Sequence, residues 1–284
     1  MAKVNKHGLS RDVPETVKRK VRKNSGFGCV ICGVAICEYE HVDPEWHDAQ
    51  SHNPKYMTLL CGSCHAKKTR GLLSKETVKE AMKDPKCRQK GFSFDSLDFG
   101  KGNPVVQLGN STFINPMFLI VIDNVCLLSI IPPVLKGEPY KLHAYFQNDE
   151  EGQMLKIVDN IWYSNAENWD VESKGRVLTI RKKKGDIALK LENVPNEKFI
   201  VHKINMSYEG YKIYGDRKGL KVVTPSGNEL LTMDFGGKVT GKIALNIINE
   251  QLSFDKLTFE NANIIVKGGA FSNSILKNCN INMS

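Results

Sequence analysis

Apolar positions along the chain change their period near residue 100. Val13, Val17 and Val21 recur at i, i+4 and i+8, which predicts a short helix over residues 13–23. Asp12 is its expected cap, with Pro14 and Glu15 in the first turn. Gly26 and Gly28 break it. Between Cys29 and Gly71 the pattern predicts two short strands, Ile36 to Val42 and Met57 to Leu60, then a helix from Cys64 to Arg70. Ser74 should cap a further helix running to about Lys83, with Pro85 beyond it. Residues 91–104 hold Gly91, Gly100, Gly102 and Pro104 and read as a linker.

From there the period falls to two. Residues 118–122 and 125–128 flank Asp123-Asn124, and residues 177–181 and 187–191 flank a lysine-rich turn ending in Gly185-Asp186, so both pairs predict hairpins. Ile187, Leu189 and Leu191 alternate with Ala188 and Lys190, as in a strand with one buried face. The expected fold class is α+β: a small domain over residues 1–90, the linker, and a larger mainly-β domain over residues 105–284. Residues 252–283 divide into six pentads around Lys267-Gly268, each with an apolar centre: Phe254, Phe259, Ile264, Phe271, Leu276 and Ile281. The pattern is weakly similar to pentapeptide repeats. That resemblance implies a short β-solenoid, whose open end would suit contact with a second copy of the chain.

The 284 residues carry a formal net charge of +9, and its distribution matters more than its size. Residues 1–90 hold 18 Lys and Arg against 10 Asp and Glu (+8), whereas residues 91–284 hold 22 against 21 (+1). A polyanion partner is therefore expected at the N-terminal part, DNA first and RNA not excluded. Lys18, Arg19, Arg22 and Lys23 on the first helix, and Lys67, Lys68 and Arg70 on the later one, are the candidate backbone contacts. The polar N-terminus lacks a signal-peptide core, and residues 118–135 are broken by Asp123, Asn124 and a Pro-Pro pair. A cytoplasmic protein without a membrane span is the expectation.

A reducing compartment leaves eight cysteines to be explained without disulfides. Cys29-x-x-Cys32 and Cys61-x-x-Cys64 have the spacing of two zinc knuckles. Four thiolate ligands leave no open coordination position, so the expected Zn²⁺ is structural. Cys37 falls outside the spacing and reads as a small buried residue. Cys87, Cys126 and Cys279 belong to no pattern.

Glu40-His41-Val42-Asp43-Pro44 ends the first strand, and Leu59-Leu60-Cys61-Gly62-Ser63-Cys64-His65-Ala66-Lys67-Lys68-Thr69 leads into the helix. Over roughly residues 15–75 the sequence resembles the HNH endonucleases, whose core is a ββα-metal fold often stapled by four cysteines. The resemblance implies that His41 is the general base, a task suited to an imidazole titrating near neutrality. It also implies that Glu40 and His65 hold one catalytic Mg²⁺, Mn²⁺ or Ni²⁺ at the scissile phosphate. Two positions depart from the family pattern. Glu40 stands where Asp is common, and Tyr56 stands where many members have an asparagine. His52 and Asn53 are the candidates for bracing the loop in its place, and His47 reads as an exposed loop residue.

These readings favour a metal-dependent endonuclease that hydrolyses DNA phosphodiester bonds. Its near-neutral β domain would recognise or regulate, as in a bacterial anti-phage or restriction-type effector awaiting an activating ligand or protein. The alternative is a non-catalytic, zinc-stabilised nucleic-acid-binding protein, which accounts for the cysteines and the charge but not for Glu40, His41 and His65.

Overall fold

Seven elements follow one another from the N-terminus: α1 (Glu15–Asn24), β1 (Cys37–His41), β2 (Met57–Cys61), α2 (Gly62–Thr69), α3 (Lys75–Lys83), α4 (Lys86–Lys90) and β3 (Phe92–Ser96). The computed structural model describes residues 4–149, 152–233 and 237–283. The chain divides into two compact units. The first comprises Met1–Asp95 together with Tyr163–Ser173 and Arg181–Lys183, and the second holds the remainder.

In the first unit β1 and β2 run antiparallel, with Cys37 opposite Cys61 and His41 opposite Met57. All five β2 residues are buried because each face has its own cover. Met57 and Leu59 pack with Val21 of α1 and with Val13 just before the helix, Val17 lying against them. Leu60 and Cys61 pack with Cys29, Val30, Val42 and Val78. The predicted stripe on α1 is therefore used, but its cap differs. Pro14 occupies the N-cap position and no side chain caps the helix, since the Pro14 carbonyl already accepts from the Val17 and Lys18 amides. Ser74 does cap α3, its hydroxyl accepting from the Thr77 amide at 3.0 Å.

Residues 92–96 form a strand where a linker was expected. The Ala35 amide donates to the Phe94 carbonyl (2.9 Å), and the Phe94 amide donates to the Gly33 carbonyl (3.2 Å). Phe92 meets Tyr163 edge-on at 5.1 Å. Gly28 permits α4 to come this close, because a Cβ there would lie 2.8 Å from Cys87 Sγ.

The second unit is built from strands. Both predicted hairpins form: Phe118–Ile122 pairs with Val125–Ile131, and Val177–Lys183 pairs with Asp186–Val194. Asp123 and Asn124 both take positive φ in the first turn, as a tight hairpin requires. At the C-terminus the chain coils upon itself. Leu252 pairs in parallel with Gly269, Thr258 with Ile275 and Asn263 with Asn280, an offset of 17 residues in each case. Phe254, Phe259 and Ile264 fill the interior of the lower coil, and Phe254 stacks on Phe271 at 4.7 Å. In the upper coil Phe271 and Ile281 are half-buried and Leu276 is exposed. No helix among the described residues is long and apolar enough to cross a membrane.

Candidate metal centre

Two tight turns bring the four cysteines together. The Cys29 carbonyl accepts from the Gly33 amide and the Cys29 amide donates to the Val34 carbonyl, folding the first knuckle. Cys61 stands at the N-cap of α2, and its sulfur accepts from the Cys64 amide. The ligand atoms of Cys29, Cys32, Cys61 and Cys64 all lie within 4.8 Å of one another, and the Cys32 and Cys61 sulfurs are 3.6 Å apart. Sulfurs about 2.3 Å from a tetrahedral zinc are about 3.8 Å apart, so the cluster has the dimensions of that site. All eight cysteines are free of disulfides.

Electrostatics point the same way. A hydrogen bond from the Cys37 thiol holds Cys29 down to about 4, against the cost of its burial. Burial, followed by the charge on Cys29, pushes Cys32 up to about 11, and Cys64 is raised for similar reasons. One thiolate thus forms readily while its neighbours resist, and a divalent cation would relieve that resistance. Among the described residues this is the one cluster positioned to hold a metal ion, and it is compatible with structural zinc. Cys37 is more than a small buried residue. Its sulfur lies 3.1 Å from the Val34 carbonyl and within hydrogen-bond reach of Cys29. Its place beside the first knuckle was the available signal, but no ligand spacing includes it.

Glu40 and His65 are also brought together. Glu40 points from β1 toward α2, where its Oε2 is 3.1 Å from His65 Nε2. Together they offer one carboxylate oxygen and one imidazole nitrogen, donor types that a divalent ion would accept. The same carboxylate has another partner, for Lys68 Nζ lies 2.8 Å from Glu40 Oε1 and 3.2 Å from Glu45 Oε1. Burial works against the Lys68 charge, yet its bonds to Glu40 and Glu45 prevail and raise its pKa.

His41 is 7% exposed and turns away from α2, as strand alternation requires of Glu40's neighbour. Its Nε2 is 3.2 Å from His52 Nδ1. Burial first, and then His52, lower its pKa, which favours the neutral imidazole. It lines a hollow of about 270 Å³ with Pro44, Ser51, Asn53 and Tyr56. Asn53 Oδ1 accepts from the Lys55 amide at 3.0 Å and so caps the turn at residues 54–56. His52 Nε2 is buried with no hydrogen-bond partner among the described residues. His47 is exposed, 2.8 Å from Asp48.

Most of the candidate backbone contacts on the first helix have partners within the protein, although of the four only Arg22 is buried. Arg22 is buried and grips Asp170 through two bonds of 2.9 Å, with a third to the Tyr39 hydroxyl. The Arg19 guanidinium stacks 3.5 Å above the Trp169 ring, and Lys23 donates to the Asn168 carbonyl. Lys18 pairs with Glu15 at 3.0 Å. Three of these four cations are spent on residues 168–170 of the same unit, a partner that local sequence does not reveal. Lys68 is likewise turned to its two carboxylates, whereas Lys67 and Arg70 remain exposed on α2. No family model matches the chain, and neither the curated proteins nor the solved structures contain a match.

Proposed function

We propose that the first unit is a metal-dependent endonuclease core of the HNH type, acting on DNA phosphodiester bonds. The observation that carries this reading is the 3.1 Å pairing of Glu40 with His65, set beside a buried His41, its neutral form favoured, at the end of the same strand. His65 directly follows the last cysteine of the cluster, so the knuckle that fixes Cys64 also fixes the start of the helix that presents His65. With Nε2–H donated to His52 Nδ1, His41 keeps its Nδ1 lone pair to take a proton from the attacking water. The proton on Nε2 can then move toward His52. A divalent ion held by Glu40 and His65 would supply charge neutralisation at the phosphate and at the departing oxygen. Lys67 and Arg70 are exposed cations suited to meet the nucleic-acid backbone, as is Lys20 on α1, and the β unit would then control or direct cleavage.

A second reading is a zinc-stabilised nucleic-acid-binding module without catalysis. It is favoured by one contact, the Lys68 ammonium that already neutralises Glu40. Plasmid incubated with purified protein and Mg²⁺ or Mn²⁺ separates the two readings. The nuclease reading requires nicking or linearisation by the wild type and a loss of about 10²–10⁴-fold in His41→Ala. Intact plasmid with retained DNA binding would leave the module.

A further inference from the structure

The second unit is almost neutral in sum, but its cations are not evenly spread. Strands Lys198–Tyr208, Tyr211–Asp216, Gly219–Val223 and Glu229–Met233 lie side by side. Ile204, Met206, Ile213, Leu220 and Val222 are buried on one face of this sheet. Alternation sends their neighbours to the other face, where Asn205, Tyr214, Lys221 and Thr232 form one cross-strand row. Lys203 and Lys212 flank that row, and Lys190 stands directly opposite Lys203 on the adjoining strand. Arg217 and Lys218 cap it from the connecting turn.

Six cations thus share the face and its near turn with Asp216 and Glu229, while Glu192, two residues from Lys190, is paired with Arg176 and His202, and Glu209 lies in the far turn. Glu229 is committed to Lys221 and Lys267. Asp216 accepts from the Lys218 amide at 2.8 Å. Lys190, Lys203, Lys212, Arg217 and Lys218 make no ion pair among the described residues. Placing two lysines opposite one another on a sheet opposes its stability. Nothing in the packing requires it, since both side chains are on the solvent side.

The face is also hollow, enclosing about 680 Å³ between Asn110, Lys203, Tyr214, Lys218 and Lys221. Tyr214 stands in the row with 39% of its surface exposed. At the wall, Asn110 Nδ2 is directed at the Lys218 carbonyl. An open aromatic ring beside unpaired cations is complementary to a base on a phosphate chain. A double helix has no free base face to offer Tyr214.

We infer that this sheet face binds single-stranded nucleic acid, with Lys203, Arg217 and Lys218 on phosphates and Tyr214 stacked under a base. The inference is independent of whether the first unit cleaves DNA. The test is fluorescence anisotropy of a labelled oligothymidylate of about 12 nucleotides, within the roughly 4–16 that a sheet-built site covers, titrated with the full chain at several salt concentrations. Lys203→Gln should weaken binding and reduce the log–log salt slope by about 0.7, the value for one lost single-strand phosphate contact. Tyr214→Ala should weaken it about fivefold or more, with Tyr214→Phe retaining affinity. Lys136→Gln, an exposed lysine elsewhere in this unit, should match the wild type.

Unchanged affinity and slope in Lys203→Gln, Tyr214→Ala and the Arg217→Gln/Lys218→Gln pair, all with wild-type melting temperatures, would overturn the inference. So would equal competition, charge for charge, by dextran sulfate, which has no bases to stack. The nuclease reading has its own readout, plasmid cleavage by the wild type set beside His41→Ala, whose substitution lies outside this sheet. Loss of cleavage with strand binding intact therefore counts against the nuclease reading and not against this one.

Discussion

Arg22 and Asp170 are 148 positions apart in sequence and joined side-on, Nε to Oδ1 and Nη2 to Oδ2, each at 2.9 Å. Both side chains are almost fully buried. A buried pair of this kind contributes little net stability while intact, but removing Asp170 takes the carboxylate from both Arg22 and Arg181 (2.9 Å) and leaves the buried Arg22 with the Tyr39 hydroxyl and with Glu172 at 3.9 Å. The expected cost of Asp170→Ala is about 3–5 kcal/mol, measurable by urea unfolding of the full chain. Residues 1–95 expressed alone should be destabilised for the same reason, because they lack Asp170. A truncated protein as stable as the intact chain would show that the pair is dispensable.

This pair also marks where reading the sequence stops. The cysteine spacing was sufficient to bring four sulfurs together, because each knuckle is a local turn and β1–β2 pairing closes the remaining distance. Glu40 and His65 were legible for the same reason, one strand and one helix being enough to join them. The apolar stripe of α1 was legible, but its basic face was not. Whether Arg19, Arg22 and Lys23 meet solvent or protein depends on Trp169 and Asp170, and no local pattern points to residues so distant. Phe92 and Phe94 do alternate as strand residues should, yet the glycines around them suggested a linker. The charged sheet face was hidden by arithmetic, since a sum of +1 over 194 residues (284 − 90) says nothing of alternate positions on four strands.

Cys37 should govern metal binding at the four-cysteine cluster without being one of its ligands. Its thiol stabilises the Cys29 thiolate, and loss of a partner that hydrogen-bonds to a metal ligand typically lowers metal affinity about 10–100-fold. Competition of the zinc-loaded protein with a chromophoric chelator should show that loss in Cys37→Ala. Cys29→Ser should instead abolish tight binding and unfold the first unit, seen as lost thermal cooperativity.

Lys68 is positioned to compete with a divalent cation for Glu40. Lys68→Met removes the competitor and keeps the side-chain stem, so Mn²⁺ should bind roughly tenfold more tightly, about 1.4 kcal/mol. Titration calorimetry on zinc-loaded protein would measure it. Weaker binding in the variant would show that Lys68 instead holds the carboxylate in place.

Glu229 gives the second unit a pH signature. Hydrogen bonds from Lys221 and then from the Thr232 hydroxyl hold its carboxyl at about 2, below the ordinary 4.5. A depressed folded-state value means that the stabilisation is complete above pH 4.5 and declines as pH falls toward 2. Because the carboxylate is partly exposed, the effect will be modest and screened by salt. Carbonyl-detected NMR should place the Glu229 midpoint near the lower value, and Lys221→Met should move it upward.

The offset of 17 residues between the two C-terminal coils sets a unit of length for this end of the chain. Lys256 and Asn273 turn one corner with positive φ, and Asn261 and Asn278 turn the next, so corners as well as strands are stacked in columns. A chain longer by one such unit would add a storey and leave every column intact. A chain longer by a single residue would displace the columns beyond the change and expel an interior phenylalanine toward solvent. Length variation tolerated here should therefore come in whole storeys, and a homologue with a longer tail would be taller rather than looser.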